Sequence, residues 1–233
     1  MDKVIAALQS YAKLQKAKDL SRFFKTGAGE YGEGDKFLGI VVPIQRKIIR
    51  EFWNKITLND TEKLLQNPYH ECRLTALLIL VAKYKKGSGE DRTKIVKMYS
   101  RNTRYINNWD LVDLSARDII GAYYFDKPKH ELYKLARSKL LWERRIAIIA
   151  TSYFIGKHQF DDTLKIAEIL LHDKHDLVHK AVGWMLREVG KRDQKAEEQF
   201  LQKHHKVMPR TMLRYAIEKF DEEKRKYYMS KIV

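Results

Sequence analysis

Apolar residues recur along most of the chain at the three- and four-residue spacing of amphipathic helices. The first segment with this spacing covers residues 2–24 and carries Val4, Leu8, Tyr11, Leu14 and Leu20. No segment alternates apolar and polar residues as a half-buried strand does. The pattern therefore predicts an all-α protein.

Longer and shorter helical segments alternate along residues 58–219. The longer ones fall near 68–86, 107–125, 140–156, 175–190 and 209–219, and the shorter ones near 58–66, 90–100, 129–138, 161–171 and 193–204. Aligning Ala76, Ala116, Ala147, Ala181 and Ala216 gives spacings of 40, 31, 34 and 35 residues. Two helices per period of this size are typical of an α-solenoid. Because signature residues of tetratricopeptide repeats are absent, we predict HEAT-like helical repeats forming a single domain over residues 1–233.

One irregular segment, residues 26–42, interrupts the helical pattern. It contains Gly27, Gly29, Gly32, Gly34 and Gly39, but its spacing matches no phosphate-binding loop. We interpret it as a flexible connection that residues 37–40 dock onto the core. Pro43 follows at a position that favours the start of the next helix.

The charge of the chain points to a polyanionic partner. The 46 Lys and Arg residues outnumber the 30 Asp and Glu residues, giving a formal net charge of +16 and a pI of about 9.7. Such a balance attracts DNA, RNA or an anionic membrane, although a basic surface that only confers solubility is an alternative. An α-solenoid is curved, so we expect its concave face to be basic and wide enough for a duplex. The longer segments supply this face with Arg73, Arg117, Arg144, Arg145, Lys180, Arg187, Arg210 and Arg214.

The sequence also excludes several other classes. No apolar run is long enough to span a bilayer, and residues 1–3 lead into a helical pattern rather than into a signal peptide. The single cysteine, Cys72, suits a reducing compartment, so we expect a cytoplasmic protein. Cys72 lies in an apolar helical run, which indicates a buried structural thiol. His175 and His179 have the spacing of a zinc motif, but no third ligand is apparent, so we expect no metal and no organic cofactor.

Two tryptophans stand out beside charged residues. Trp109 and Asp113 lie one helical turn apart and share a face, at the edge of a polar stripe that also carries Asp110 and Arg117. The buried face of this helix is assigned to Leu111, Val112, Ser115, Ile119 and Ile120. Trp184 lies off-centre from the apolar face of a later helix. As an alternative interpretation, each tryptophan could simply fill the core. The alternative for Arg144 and Arg145 is that they are solvated arginines paired with Glu143.

Three stretches in order carry a resemblance to a known family. They are residues 107–113 (NNWDLVD), 142–145 (WERR) and 181–188 (AVGWMLRE). In a basic all-helical repeat chain, this set resembles the AlkD-type DNA glycosylases, which are DNA alkylation repair enzymes built of HEAT-like repeats. The resemblance extends over nearly the whole chain, from residue 37 onward.

The resemblance implies roles for individual residues. A tryptophan and an aspartate one turn apart form the catalytic core of that family, and they match Trp109 and Asp113. The second tryptophan matches Trp184, the phosphate-binding arginine matches Arg145, and Arg187 resembles a further backbone contact. The implied reaction is excision of N3-methyladenine and N7-methylguanine from duplex DNA without base flipping, which leaves an abasic site.

This chemistry fits the residue types. A cationic purine leaves without a general acid, so the enzyme has only to stabilise the oxocarbenium ion on the deoxyribose. A carboxylate does this electrostatically, and indole faces attract cationic carbon. Two alternatives are a non-catalytic binder of damaged or structured DNA and a scaffold for acidic proteins. We take a monomer as the default state.

Overall fold

The computed structural model describes residues 1–230, and in this range the chain is helical without a β-strand. The all-α prediction is confirmed. The chain divides into two compact units, Met1–Ile119 and Ile120–Val233, which are described separately. The single domain, the curvature and the basic concave face stay predictions. Within the described range, no helix is both long and apolar enough to cross a membrane.

The first unit contains seven α-helices and one short 3₁₀ helix. They are α1 (Asp2–Gln9), α2 (Leu14–Phe23), α3 (Val42–Phe52), α4 (Leu58–Leu65), α5 (His70–Lys86), α6 (Gly89–Arg101), the 3₁₀ helix Thr103–Tyr105 and α7 (Trp109–Asp113). The prediction of a single helix over residues 2–24 is wrong, because the helix ends at Gln9 and α2 begins only at Leu14. At the break, the backbone N–H of Lys13 donates to the carbonyl of Leu38 at 2.9 Å instead of continuing α1.

The glycine-rich segment approaches this break so closely that a glycine is needed. Gly39 has a φ of +86°, and a Cβ atom there would lie 2.2 Å from the carbonyl oxygen of Lys13. A side chain at this position would therefore meet both backbone strain and a steric clash. The sequence pattern did not reveal this contact, because it joins residues far apart in the chain.

Glu71 of α5 fixes the same segment from the other side. Its carboxylate accepts backbone N–H bonds from Leu38 at 2.9 Å, Gly39 at 2.8 Å and Ile40 at 3.1 Å. Glu71 is buried, as are Phe37 and Ile40. The predicted docking of residues 37–40 onto the core is confirmed, and the interpretation of the whole segment as a flexible connection is wrong.

Over its described residues, 120–230, the second unit contains nine α-helices. They are α8 (Ala122–Tyr124), α9 (His130–Ala136), α10 (Leu141–Ala150), α11 (Ser152–Ile155), α12 (Asp161–Ile169), α13 (Asp176–Gly190), α14 (Gln194–His204), α15 (Arg210–Ala216) and α16 (Glu222–Met229), with a 3₁₀ helix at Ile217–Lys219. Helices α13 and α15 pack so closely that a Cβ on Gly183 would lie 2.3 Å from the carbonyl oxygen of Met212. Most predicted segments match within a few residues.

The predicted helix over 107–125 is interrupted. Helix α7 ends at Asp113, and a π-helix covers Arg117–Gly121. The hydroxyl of Ser115 donates to the carbonyl of Leu111 at 2.5 Å, a side-chain bond that competes with regular helical pairing. Helical periodicity does not register such a local change of winding.

We predict that Glu71→Gln lowers the free energy of unfolding by about 3 kcal/mol, because a buried carboxylate that accepts three backbone bonds is replaced by a poorer acceptor. Urea denaturation measures this change. The control is Glu90→Gln, whose side chain is 77% exposed and whose substitution should change stability by less than about 0.5 kcal/mol. Equal effects of the two substitutions would contradict the anchoring role of Glu71.

Candidate active site

The site begins at the N-terminus of α7. Asn108 caps the helix, since its side-chain oxygen accepts the backbone N–H of Trp109 at 2.8 Å. Asn108 is fully buried, and Leu111 and Val112 are buried beneath the helix. Trp109 and Asp113 occupy the first and last positions of α7, and both are half-buried. Trp109 and Asp113 therefore lie one turn apart on the same short helix, as predicted.

An aromatic cluster holds the indole of Trp109. Phe24 stacks on Trp109 with ring centroids 5.3 Å apart, and Phe23 meets it edge-on at 6.0 Å. Phe24 also stacks on Phe37 at 5.2 Å. Phe23 is 62% exposed whereas Phe24 and Phe37 are buried, so the cluster runs from the core of the first unit to its surface beside Trp109.

His70 lies behind this cluster, between two carboxylates. Its Nδ1 is 2.7 Å from Asp35 and its Nε2 is 2.9 Å from Asp110. The three side chains are buried, with exposures of 2% for His70, 1% for Asp35 and 9% for Asp110. We call this set, with Arg73, the buried clamp. The placement of Asp110 on an exposed polar stripe is therefore wrong.

The charges within the buried clamp balance one another. Burial by itself lowers the pKa of His70, but the hydrogen bonds and charges of Asp110 and Asp35 outweigh it and raise that pKa to about 9. Burial raises the pKa of Asp35, but His70 and Arg73 outweigh it, so this pKa is lowered. Two cations thus face two carboxylates, as buried charges require.

Arg73 does not have the placement expected of a DNA contact. It is 4% exposed and pairs with Asp35 at 2.7 Å. Its guanidinium also donates to the carbonyls of Asn67 and Pro68, at 3.2 and 3.1 Å. The assignment of Arg73 to a basic binding face is wrong, because its charge is used inside the first unit.

The other polar candidates have structural surroundings. Cys72 is 1% exposed, and burial raises the pKa of its thiol to about 12, which confirms the buried thiol. His175 accepts the backbone N–H of Leu177 at 3.2 Å, and His179 donates to the carbonyl of Asp173 at 2.5 Å. Over residues 1–230, no group of three or more His, Cys, Asp or Glu is arranged to hold a metal ion.

The second unit carries the remaining candidates of the implied catalytic set. Trp184 is half-buried on α13, one helical turn before Glu188. Arg145 is 5% exposed, and its guanidinium donates to the carbonyl of Leu177. Arg145 is thus a buried, oriented arginine rather than a solvated one.

The expected DNA-binding cations of the second unit differ in their surroundings. Arg144 is half-buried and pairs with Asp173 at 2.5 Å. Arg187 pairs with Glu218, and Lys180 pairs with Asp176 at 2.7 Å. Arg210 and Arg214 are exposed, as is Arg117 of the first unit. Their contact with DNA stays a prediction.

Comparison with known proteins places the chain in a family. Residues 4–220 match the family described as DNA alkylation repair enzyme. The chain belongs to the DNA alkylation repair enzyme family. Among solved structures, it is similar to a predicted DNA alkylation repair enzyme from Enterococcus faecalis, with a TM-score of 0.71 and 18% identity over 91% of this chain and 97% of that chain. At this identity the likeness shows the fold alone, and no curated protein matches the chain.

Membership in the DNA alkylation repair enzyme family supports an enzymatic role with DNA as the partner. It does not by itself assign the site residues. The sequence pattern and the family resemblance indicate Trp109 and Asp113, which the structure holds on one turn, but neither indicates His70 or Asp35. A histidine and an acid in the first turn of a mostly apolar helix were the only signal of a buried charge network at α5.

The raised pKa of His70 predicts a stability change at alkaline pH. Protonated His70 stabilises the fold fully below its ordinary pKa of 6.5, and this contribution is lost as the pH rises through about 9. Between these values the free energy of unfolding should fall by on the order of 3 kcal/mol relative to His70→Gln.

Urea denaturation at pH 6 to 10 measures this difference. The control is His130→Gln, whose side chain is 74% exposed and whose profile should follow the wild type. Parallel profiles for the wild type and His70→Gln would show that the fold does not depend on the charge of His70.

Proposed function

We propose that this DNA alkylation repair enzyme is a monofunctional DNA glycosylase. Its substrates are cationic alkylated purines, N3-methyladenine and N7-methylguanine, in duplex DNA. It hydrolyses the N-glycosidic bond without flipping the base and leaves an abasic site. The observation that carries the proposal is the pairing of Trp109 and Asp113 on a single turn that the surrounding side chains hold in place.

The rigid support of this turn suits electrostatic catalysis. Groups that stabilise a developing charge work best when they are oriented before the reaction begins. Asn108 caps the start of α7, Asp110 joins the buried clamp, and Phe24 stacks on Trp109 at 5.3 Å. The indole and the carboxylate are therefore presented together, from a turn with little freedom to reorient.

The proposed reaction follows from the charge of the substrate. The bond between C1′ and the base nitrogen breaks, its electron pair neutralises the cationic purine, and positive charge grows on the deoxyribose. The carboxylate of Asp113 stabilises this oxocarbenium ion and orients a water molecule. The water oxygen forms the new bond to C1′, and its proton passes to the carboxylate or to solvent. The indole of Trp109 packs on the cationic sugar.

In this proposal, Trp184 and Arg145 of the second unit have the sugar-contacting and phosphate-contacting roles that the family resemblance implies for them. Trp184 is half-buried on α13, and a partly exposed aromatic face is what packing against a cationic sugar requires. The bond from Arg145 to the Leu177 carbonyl orients its guanidinium plane. A guanidinium offers several donors in a rigid fork, but Arg145 is 5% exposed, so in this proposal its side chain turns outward to reach a phosphate.

The charge of the chain supports duplex DNA as the partner. A net charge of +16 and the exposed Arg117, Arg210 and Arg214 favour contacts with the phosphate backbone. Arg144, Arg187 and Lys180, each paired with an acid, would exchange that partner for a phosphate. We propose that the enzyme acts as a monomer, in the cytoplasm, on chromosomal DNA.

We predict that Asp113→Asn reduces the single-turnover release of N7-methylguanine from duplex DNA at least about 100-fold, because a charge that stabilises the transition state is removed. DNA affinity should stay within about threefold of the wild type. Free base is measured by chromatography against an enzyme-free reaction. The control is Asp126→Asn, an exposed acid of the second unit, which should keep the wild-type rate.

Two outcomes would overturn the proposal in different ways. Wild-type release no faster than spontaneous depurination, with tight DNA binding, would make the protein a non-catalytic binder. Normal release by Asp113→Asn would leave a glycosylase but remove Asp113 from its chemistry.

We also predict that DNA affinity falls steeply with salt, by roughly 100-fold between 50 and 200 mM, because bound cations displace counterions from the phosphates. Fluorescence anisotropy with a labelled duplex measures this dependence. Arg214→Ala should reduce the log–log slope by about 1, whereas Lys94→Ala, an exposed change on α6, should not. A flat salt dependence would contradict the basic binding face.

A further inference from the structure

We propose that His70 is a positioning residue of the reaction, acting through the buried clamp on Trp109 and Asp113. It touches neither DNA nor the reacting atoms. Its ring, protonated on both nitrogens, joins the glycine-rich segment to α7. It thereby fixes the position of the turn 109–113, which carries Trp109 and Asp113 and which we call the catalytic turn. This inference rests on the proposed glycosylase function.

The geometry itself requires a protonated ring. Both ring nitrogens of His70 lie within hydrogen-bond distance of a carboxylate, 2.7 Å from Asp35 and 2.9 Å from Asp110. Ionised carboxylates only accept hydrogen bonds, and a neutral imidazole has only one N–H to donate. Loss of a proton would therefore place a nitrogen lone pair against one carboxylate, at 2.7 or 2.9 Å, which is too close for a water molecule to lie between them.

The link from His70 to Trp109 has two routes. Asp110 directly follows Trp109, and its second carboxylate oxygen accepts the backbone N–H of Leu111 at 2.9 Å, so movement of Asp110 moves the turn. The second route is aromatic. The imidazole ring stacks on Phe37 at 4.6 Å and meets Phe24 at 4.9 Å, and Phe24 stacks on Trp109 at 5.3 Å.

The glycine-rich segment supplies the other half of the clamp. A Cβ on Gly32 would lie 2.4 Å from the carbonyl oxygen of Phe24, so the segment reaches the aromatic cluster only because this residue is glycine. Three residues later, Asp35 bonds to His70 and Arg73. The segment therefore supports the catalytic turn from behind, through its carboxylate and its close packing.

The charged surroundings of His70 determine its titration. The glycine-rich segment presents Asp35, α7 presents Asp110, and α5 presents Arg73, which pairs with Asp35. The neighbouring Glu71 is occupied by backbone N–H groups of residues 38–40. Phe24 and Phe37 carry no titratable group. Loss of the proton from His70 should therefore release the clamp at alkaline pH and slow excision more than it weakens DNA binding.

The first experiment measures single-turnover release of N7-methylguanine and the DNA dissociation constant from pH 6.5 to 10, with an enzyme-free reaction at each pH. We expect the wild-type rate to fall with a midpoint near 9. Asp35→Asn should move this midpoint to lower pH, because one fewer carboxylate stabilises the imidazolium. The single-turnover rate of His70→Gln should be at least tenfold lower at pH 7 and should not fall further as the pH rises to 10. The rate of His130→Gln should match the wild type at each pH.

Several results would overturn the inference. They are a wild-type rate that is constant to pH 10, a wild-type rate in His70→Gln, or a midpoint unchanged by Asp35→Asn. A loss confined to the dissociation constant would also overturn it, since the clamp would then serve binding rather than reaction. Circular dichroism of each variant at each pH separates these outcomes from unfolding.

A second measurement does not depend on catalysis. The indole N–H signal of Trp109 in an NMR spectrum, assigned with Trp109→Phe, should shift with pH in the wild type with the same midpoint and stay constant in His70→Gln. If the wild type releases no base, the proposed glycosylase function fails while this titration still reports on the clamp. A Trp109 signal that is constant in the wild type would refute the positioning role.

Discussion

The structure of the first unit depends on one buried ionic interaction, the contact of His70 with Asp35 and Asp110. Charges removed from water are tolerated only when each has a partner, and loss of one partner leaves another charge uncompensated. The clamp meets this condition with Arg73 as the second cation. Because its members come from the glycine-rich segment, α5 and α7, the same interaction fixes three parts of the chain that are distant in sequence.

The turn that carries Trp109 and Asp113 shows why such support is needed. Helix α7 has five residues, and a helix of this length has no stability of its own in water. Its order comes from Asn108 at its start, from Asp110 in the clamp and from the aromatic cluster against Trp109. The proposed chemistry requires a carboxylate fixed near the sugar, and here tertiary contacts rather than helix propensity hold the turn that carries Asp113.

Much of the fold was predictable because helical periodicity is a local property. Apart from the interrupted segment 107–125, the alternating segments from residue 58 onward agree closely with the observed helices. Residues 107–113 indicated Trp109 and Asp113 through a family resemblance. The errors have a common cause in non-local contacts. Periodicity placed Asp110 on a polar stripe, but its partner His70 lies 40 residues earlier. The break at Lys13 and the burial of Arg73 likewise depend on residues from other segments.

In the proposed reaction, a fixed carboxylate and a fixed indole suffice because the departing base already carries a positive charge. The most direct test compares single-turnover release from two duplexes of identical sequence, one with N7-methylguanine and one with neutral hypoxanthine at the same position. We expect release of N7-methylguanine and no release of hypoxanthine above the enzyme-free rate, because a neutral base needs a proton donor to leave. Comparable release of both bases would contradict it.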